Sequence, residues 1–411
     1  MPPIQFELTL TAHAYGGAAV GRLPDGRAAF VPFGLPGERV RIEMVEEKER
    51  LVRGRLVSVL EGAPGRVTPR CKHYGTCGGC HYQHMSYPQQ LIAKAEILDD
   101  QLRRIGRIEN PPVAATVGGE PWNYRNYLQF QLAADGKLGF VRHRDGPNPS
   151  DIMPIEECHL PLDAINALWP QLAFEGESGI DRVGMRAGRE EDLMVILESG
   201  SPAVPELEIE APVSIVHVFE GDAVVQAGEP YVVEEVLGRA FRVSPTSFFQ
   251  VNAPVAEKMV AHVRDALPNK ARMLMDVYAG VGLFSAFLAP RCDRLIAIEA
   301  SAAACEDFMA NLDEFDNVEL YEDAAGRALP SLTLEPEAVV LDPPRAGVEI
   351  PAMDALVKMA PGLIIYVSCD PATLARDAAR LIRGGYHLDS VTPFDMFPQT
   401  YHIESVSVFR R

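Results

Sequence analysis

No stretch of this chain approaches the roughly 18 consecutive apolar residues of a membrane-spanning helix, so no span is expected. The start, Met1-Pro2-Pro3-Ile4-Gln5-Phe6-Glu7, lacks the basic and apolar regions of a secretion leader, which predicts a cytoplasmic location. Positive charge is scarce: 38 Lys and Arg stand against 57 Asp and Glu, a net charge of -19. That excludes a uniformly basic nucleic-acid coat but leaves room for a local basic face. Seven cysteines, an odd number, argue against a disulfide framework. No internal repeat and no low-complexity run interrupts the 411 residues, which suffice for two or three ordinary hydrophobic cores.

Charge is unevenly placed. Residues 1–70 hold ten Lys and Arg against eight Asp and Glu, a balance of +2, which leaves -21 for the rest. In that segment Tyr15-Gly16-Gly17, Pro24-Asp25-Gly26 and Gly34-Leu35-Pro36-Gly37 read as turns between short strands. The spacing predicts a small OB-like barrel, a fold that often binds oligonucleotides, or else a generic β module. Leu91, Ala95, Leu98, Leu102 and Ile105 predict one face of a helix over 86–106. Residues 122–235 mix short strands and loops. From about 245, apolar runs at 273–277, 295–298, 318–321, 338–341 and 363–367 alternate with helical stretches such as 302–312 and 373–382. This is the pattern of a parallel sheet with helices on both faces, and 403–409 reads as one last strand.

Five constellations carry chemistry. Asp276-Val277-Tyr278-Ala279-Gly280-Val281-Gly282 follows a strand, and Glu299 ends the next one, 19 residues after Gly280. A small-residue turn plus an acid at that place suits a nucleoside cofactor, and the few glycines favour S-adenosylmethionine over NAD. Asp342-Pro343-Pro344-Arg345 ends a later strand, where two prolines fix the carboxylate direction. Ser368-Cys369-Asp370-Pro371 puts a thiol at a strand-to-helix junction, where a helix N-terminus is expected to lower its pKa. In 396–404, His402 and Glu404 share a face if the chain is extended, and either can serve as an acid or base. Cys71, Cys77 and Cys80, with the distant Cys158, offer four thiolates for an iron–sulfur cluster or zinc, and His73, His81 and His84 keep a mixed Cys/His zinc site open. The bland readings are a tight turn, a Pro-terminated strand, a small buried Cys and polar residues on a terminal strand. Cys292 and Cys305 are given only the bland one.

Together these residues resemble the S-adenosylmethionine-dependent RNA 5-methyluridine methyltransferases. The resemblance covers nearly the whole chain and is most specific in 247–252 (Ser-Phe-Phe-Gln-Val-Asn), 341–345, 368–371 and 396–404. It implies an α/β protein with a C-terminal doubly wound, Rossmann-like methyltransferase domain, an N-terminal OB-like TRAM barrel and a mixed α+β central iron–sulfur domain. The implied boundaries are 1–62 for the barrel, 63–84 with 118–244 for the central domain, and 85–117 with 245–411 for the catalytic domain. It implies Cys369 as nucleophile and Glu404 as general base. Gln250, Tyr278, Glu299, Asp323 and Asp342 would contact S-adenosylmethionine, and Cys71, Cys77, Cys80 and Cys158 would hold a [4Fe–4S] cluster. Phe248, Arg125 and His402 would handle the target base. The partner is RNA, with large-subunit ribosomal RNA preferred over the transfer-RNA T-loop, and the protein is expected to be monomeric. Two positions depart from the family: Asp370 stands where Asn is usual, and Ala279 where a small Cys is common.

Three other readings are weighed against this one. An RNA cytosine-5 methyltransferase would carry a second cysteine after the Pro motif, where Arg345 stands here. An amino-group methyltransferase would use a Pro-Pro-aromatic motif. A non-catalytic iron–sulfur RNA-binding protein would have no need of both Cys369 and Glu404.

Overall fold

The computed structural model describes residues 4–143, 151–175, 178–189, 192–203 and 211–411. The remaining parts of the central segment expected over 118–244 lie outside the described residues. Near the N-terminus, β1 (Gln5–His13), β2 (Ala18–Arg22), β3 (Ala28–Pro32), β4 (Arg39–Glu47) and β5 (Leu51–Glu61) close a barrel in the order β1-β2-β3-β5-β4. Alternate residues point inward, as a strand's period of two requires: Leu8 and Leu10, Val40 and Ile42, Val31 and Val52 are buried. Gly54 is small because a Cβ there would sit 2.6 Å from Ile42 Cδ1. The carboxylate of buried Glu38 grips Arg66 at 2.5 and 2.7 Å, which ties the barrel to the Cys-rich segment that follows.

Helix α1 (Tyr87–Arg104) forms where its periodicity predicts, but its buried face differs. Gln90, Ala93, Lys94, Ile97, Leu98 and Leu102 are buried, whereas Ile105 lies past the helix end and is 43% exposed. The stripe is rotated because two polar side chains, Gln90 and Lys94, turn inward to bond a loop more than 300 residues away in sequence. Apolar spacing alone cannot foresee such bonds.

The central sheet contains β6 (Tyr127–Leu132), β7 (Leu138–Val141), β8 (Ile152–Pro154), β9 (Ile180–Ala187), β10 (Leu193–Ser199), β11 (Ser214–Phe219) and β12 (Asp222–Ala227). Its order is β12-β11-β10-β9-β6-β7-β8. Leu128, Phe130, Met185 and Val195 pack with Trp169 and with Ile165 of α2 (Asp163–Leu168) to make its core. A hairpin of β13 (Val232–Val236) and β14 (Arg239–Val243) leads into the last module.

That module alternates α3 (Ala253–Ala266), β15 (Ala271–Val277), α4 (Ser285–Leu288), β16 (Cys292–Glu299), α5 (Ala302–Asn311), β17 (Val318–Glu322), α6 (Ala325–Ser331), β18 (Ala338–Leu341), α7 (Ile350–Met359), β19 (Leu363–Ser368) and α8 (Pro371–Arg383). It ends in β20 (His387–Phe394) and β21 (Glu404–Arg410). The sheet order is β17-β16-β15-β18-β19-β21-β20, parallel except at β21. Every residue of β18 and β19 is buried, because helices cover both faces. The order reverses beside β15 and β18, so their carboxyl ends open a crevice of the kind that takes ligands. The helix after the glycine turn is only four residues long, and a 3-10 turn carrying Pro290 finishes it. Helix α1 packs against α8 and β20.

Candidate active site

The crevice is lined by strand ends. Tyr278, just past β15, adopts φ +66°, and its amide and that of Ala279 donate to Ile298 O at 2.9 and 3.0 Å. Gly282 needs its φ of +90°, and a Cβ there would meet Leu312 Cδ1 at 2.3 Å. Glu299 at the end of β16 accepts the Gly280 amide at 2.8 Å through one oxygen and the Ala300 and Ser301 amides, each at 2.8 Å, through the other. It therefore locks the glycine turn to the second strand while keeping lone pairs for a further donor. Asp323 lies past β17 and is pulled below the usual carboxylate range by its bond to Arg327.

Several polar groups here are buried and left without a protein partner: Gln250 Oε1, Asp276 Oδ1 and the Tyr278 hydroxyl. Buried polar atoms are usually satisfied, so unpartnered ones along this crevice leave room for a ligand's polar groups. Burial pushes Asp276 up to about 6. Asp342, at the end of β18, rises to about 7 through burial and the nearby Asp276 and Glu299 carboxylates. Such a lining rewards a cation. Gln250 and Asn252 belong to the 247–252 motif, where Ser247 is anchored to buried Asp307 at 2.7 Å and Asn252 caps α3 and donates to Met396 O. Phe248 is 67% exposed, with its ring free for a partner.

Cys369 and Glu404 come together through strand register. Ser368 of β19 pairs with Ser405 of β21, which brings the following Cys369 close enough to Glu404 to feel its charge. Glu404 is buried and its carboxyl is raised well above the usual range, first by burial and then by Asp342, with Arg345 and Lys94 opposing. The Cys369 thiol is half-buried and pushed up to about 12 by burial, Glu404 and Asp342. This corrects the expectation that the helix N-terminus lowers it. The reason is local: Asp370 Oδ1 takes the free amides of Ala372 and Thr373 at 2.9 Å each, so the end of α8 is already capped. His402 lies in the loop before β21, its ring 4.4 Å from that of Tyr401, and is held down to about 4 by burial and by Arg345. Arg125 donates to Tyr127 O and sits 5.9 Å from the Phe397 ring.

The loop 395–403 is pinned from several sides. Lys94 Nζ reaches Asp395 Oδ1 at 2.5 Å and Phe397 O at 3.1 Å, with both ion-pair side chains fully buried. Gln90 binds the amide and the side chain of Gln399, each at 3.0 Å, and Tyr124 donates to Pro398 O at 3.0 Å. The His81 and Tyr82 amides donate to Gln399 O. Lys94, Asp395, Gln90 and Tyr124 were not foreseen. The one available signal was a lone lysine on the helical stripe shared by Gln90, Lys94 and Leu98.

Cys71, Cys77, Cys80 and Cys158 are all free and line one cavity of about 290 Å³. Burial raises all four thiols, Cys158 to about 11. His81 instead lines the separate cleft beside the barrel, and His84 is bonded to Tyr74. Among the described residues no three His, Cys, Asp or Glu side chains gather closely enough to hold a metal ion. His73 and His159 line the same cavity. Among the described residues no helix is long and apolar enough to cross a membrane.

The sequence profile of the family described as tRNA (Uracil-5-)-methyltransferase matches residues 225–411, and that of the TRAM domain matches 5–57. An RNA methyltransferase of Streptomyces avermitilis is 34% identical over 98% of both chains. Another from Halalkalibacterium halodurans is 33% identical over 98% of this chain and 96% of that one. The crystal structure of the Pyrococcus abyssi tRNA (uracil-54, C5)-methyltransferase with S-adenosyl-L-homocysteine superposes with a TM-score of 0.73 over 98% of this chain and 99% of that one. At 24% identity that likeness shows the fold.

Proposed function

The chain belongs to the family of RNA uracil-5 methyltransferases, and on that premise we propose that it moves a methyl group from S-adenosylmethionine to C5 of one uridine in RNA. The observation that carries the reading is the proximity of Cys369 to Glu404 where β19 and β21 meet the crevice. Uracil C5 is a poor nucleophile. Addition of the Cys369 thiolate at C6 turns C5 into an enolate-like carbon that can take the methyl group. Glu404 then removes the C5 proton, the electron pair of that C–H bond forms the C5–C6 double bond, and the thiolate leaves. Glu404 must be ionised to act as this base, and the Arg345 and Lys94 charges beside it favour that form.

When bound, S-adenosylmethionine supplies an electrophilic methyl on a positively charged sulfur. The orphaned atoms of Gln250 and Tyr278 fit such a ligand, as does the acidic lining of Glu299, Asp323 and Asp342. A nearby cation would also offset the carboxylate repulsion that keeps Cys369 protonated. The base must reach this pocket, so the nucleotide is flipped out of its stack, with Phe248, Arg125 and His402 around it. RNA enters by the cleft between barrel and central sheet, lined by Lys48, Arg142, Phe33 and Tyr401.

We further assign Cys71, Cys77, Cys80 and Cys158 to a [4Fe–4S] cluster, supported by four free thiols around one cavity, with no part in the methyl transfer. The working division is 1–62, 63–84 with 118–244, and 85–117 with 245–411. Large-subunit ribosomal RNA is the first substrate reading. Transfer RNA is the second, favoured by what the Pyrococcus abyssi enzyme acts on. The test is tritium release from RNA labelled at uracil C5, with both transcripts run in parallel. Donor-dependent release from one transcript names the substrate, and a Cys369→Ala protein that still released tritium would refute the mechanism.

A further inference from the structure

The turn between β1 and β2 reaches across to the C-terminal module. Tyr15 in that turn donates its hydroxyl hydrogen to Asp370 Oδ2 at 2.8 Å, a bond between residues 355 apart. Asp370 directly follows Cys369. Its other oxygen caps α8, so its carboxylate is held at both ends, by the barrel and by the helix. The Tyr15 ring also meets the Tyr401 ring edge-on, 5.8 Å between centroids at 86°. Tyr401 in turn packs against His81 at 4.6 Å and His402 at 4.4 Å. Beside it, Gly17 is held at φ +92°, and a Cβ there would stand 3.2 Å from His81 Cβ. The turn therefore touches both walls of the crevice: the loop that carries Cys369 and the loop that leads into Glu404.

We propose that Tyr15 is a positioning residue for the nucleophile, so that the barrel is a structural member of the active site as well as a surface for RNA. This rests on the reading of Cys369 as nucleophile. Without the hydroxyl, Asp370 keeps its cap on α8 but loses the tether that fixes its outer oxygen. The junction bearing the thiol is then held only by that cap and by the bonds among Ser368, Asp370 and Thr373. A hydrogen bond to an ionised carboxylate is among the stronger ones, and a small misplacement of a reacting group is costly in rate.

Tyr15→Phe retains the ring contact with Tyr401 and removes only the donor. It is expected to lower kcat about tenfold while KM for RNA changes less than about twofold. In protein without RNA, iodoacetamide should alkylate Cys369 at a rate changed by at least about threefold, read by peptide mass spectrometry, because the thiol's surroundings move. In an Asp370→Ala background, which lacks both this bond and the α8 cap, Tyr15→Phe should cause little further loss of kcat. Circular dichroism of each variant establishes that it is folded. A Tyr15→Phe protein with unchanged kcat and unchanged alkylation overturns the proposal. So does a loss confined to KM, which would make Tyr15 an RNA contact. If the wild-type protein releases no tritium from any RNA, it is the functional reading that fails, and the alkylation comparison still decides the Tyr15 contact.

Discussion

Lys94 is the sharpest test of how this site is held. The residue sits on α1, and its ammonium is fully buried against Asp395, also fully buried, at 2.5 Å, with Phe397 O at 3.1 Å. Burial alone would drive the lysine toward its neutral form, and the Asp395 carboxylate works against that. Lys94→Met keeps the length of the side chain and removes the charge. Asp395 is then left in a dry site without its cation. Breaking a buried pair from one side costs about 3–5 kcal/mol, against about 0–1 kcal/mol for a surface pair. The larger figure applies here because neither side chain reaches water. At about 1.4 kcal/mol per factor of ten, the unfolding equilibrium should shift by roughly two to three and a half orders of magnitude. Urea denaturation followed by circular dichroism reads this directly. The double variant Lys94→Met/Asp395→Leu removes both charges and should recover most of the loss. A Lys94→Met protein within about 1 kcal/mol of wild type would refute the reasoning, since the pair would then be hydrated or unimportant. Arg103→Ala, which breaks an exposed pair with Asp99 on the same helix, is the control and should cost under about 1 kcal/mol.

Three further outcomes are expected. Glu404→Gln blocks proton removal after methyl transfer, so a covalent protein–RNA species should accumulate on a denaturing gel, and its absence with slowed turnover would assign the base elsewhere. Asp342 has a folded pKa near 7, above its ordinary 3.8, so the stability it contributes is fully present below about 4 and is lost as pH rises through about 7; Asp342→Asn should flatten that part of the stability–pH curve, and an unchanged slope would place the titration on another group. Replacing Cys77 by Ser should remove the visible absorption of anaerobically purified protein and its iron, and colourless wild-type protein without iron would overturn the cluster assignment.

How far the sequence could be read depended on the range of the interaction. Strands β18 and β19 are almost wholly apolar because both faces are covered, so a local window finds them. The crevice was legible for the same reason: Glu299, Asp342 and Cys369 each follow such a run, and strand ends in this topology share one edge. The thiol's environment was not legible. Whether a helix end activates a cysteine depends on which neighbour takes its free amides, and Asp370 takes them here. The failures on α1 have one cause. Apolar spacing tracks burial only while burial is driven by area, and Gln90 and Lys94 are buried by bonds to 395–399. Those bonds also explain why α1 lies with the C-terminal module, although it directly follows the Cys-rich segment. The contacts that escaped a local reading, those of the Tyr15 turn, α1 and the loop 395–403, surround the candidate nucleophile and base. In this chain the candidate reacting groups are written in short motifs, while polar contacts across hundreds of residues join the segments around them.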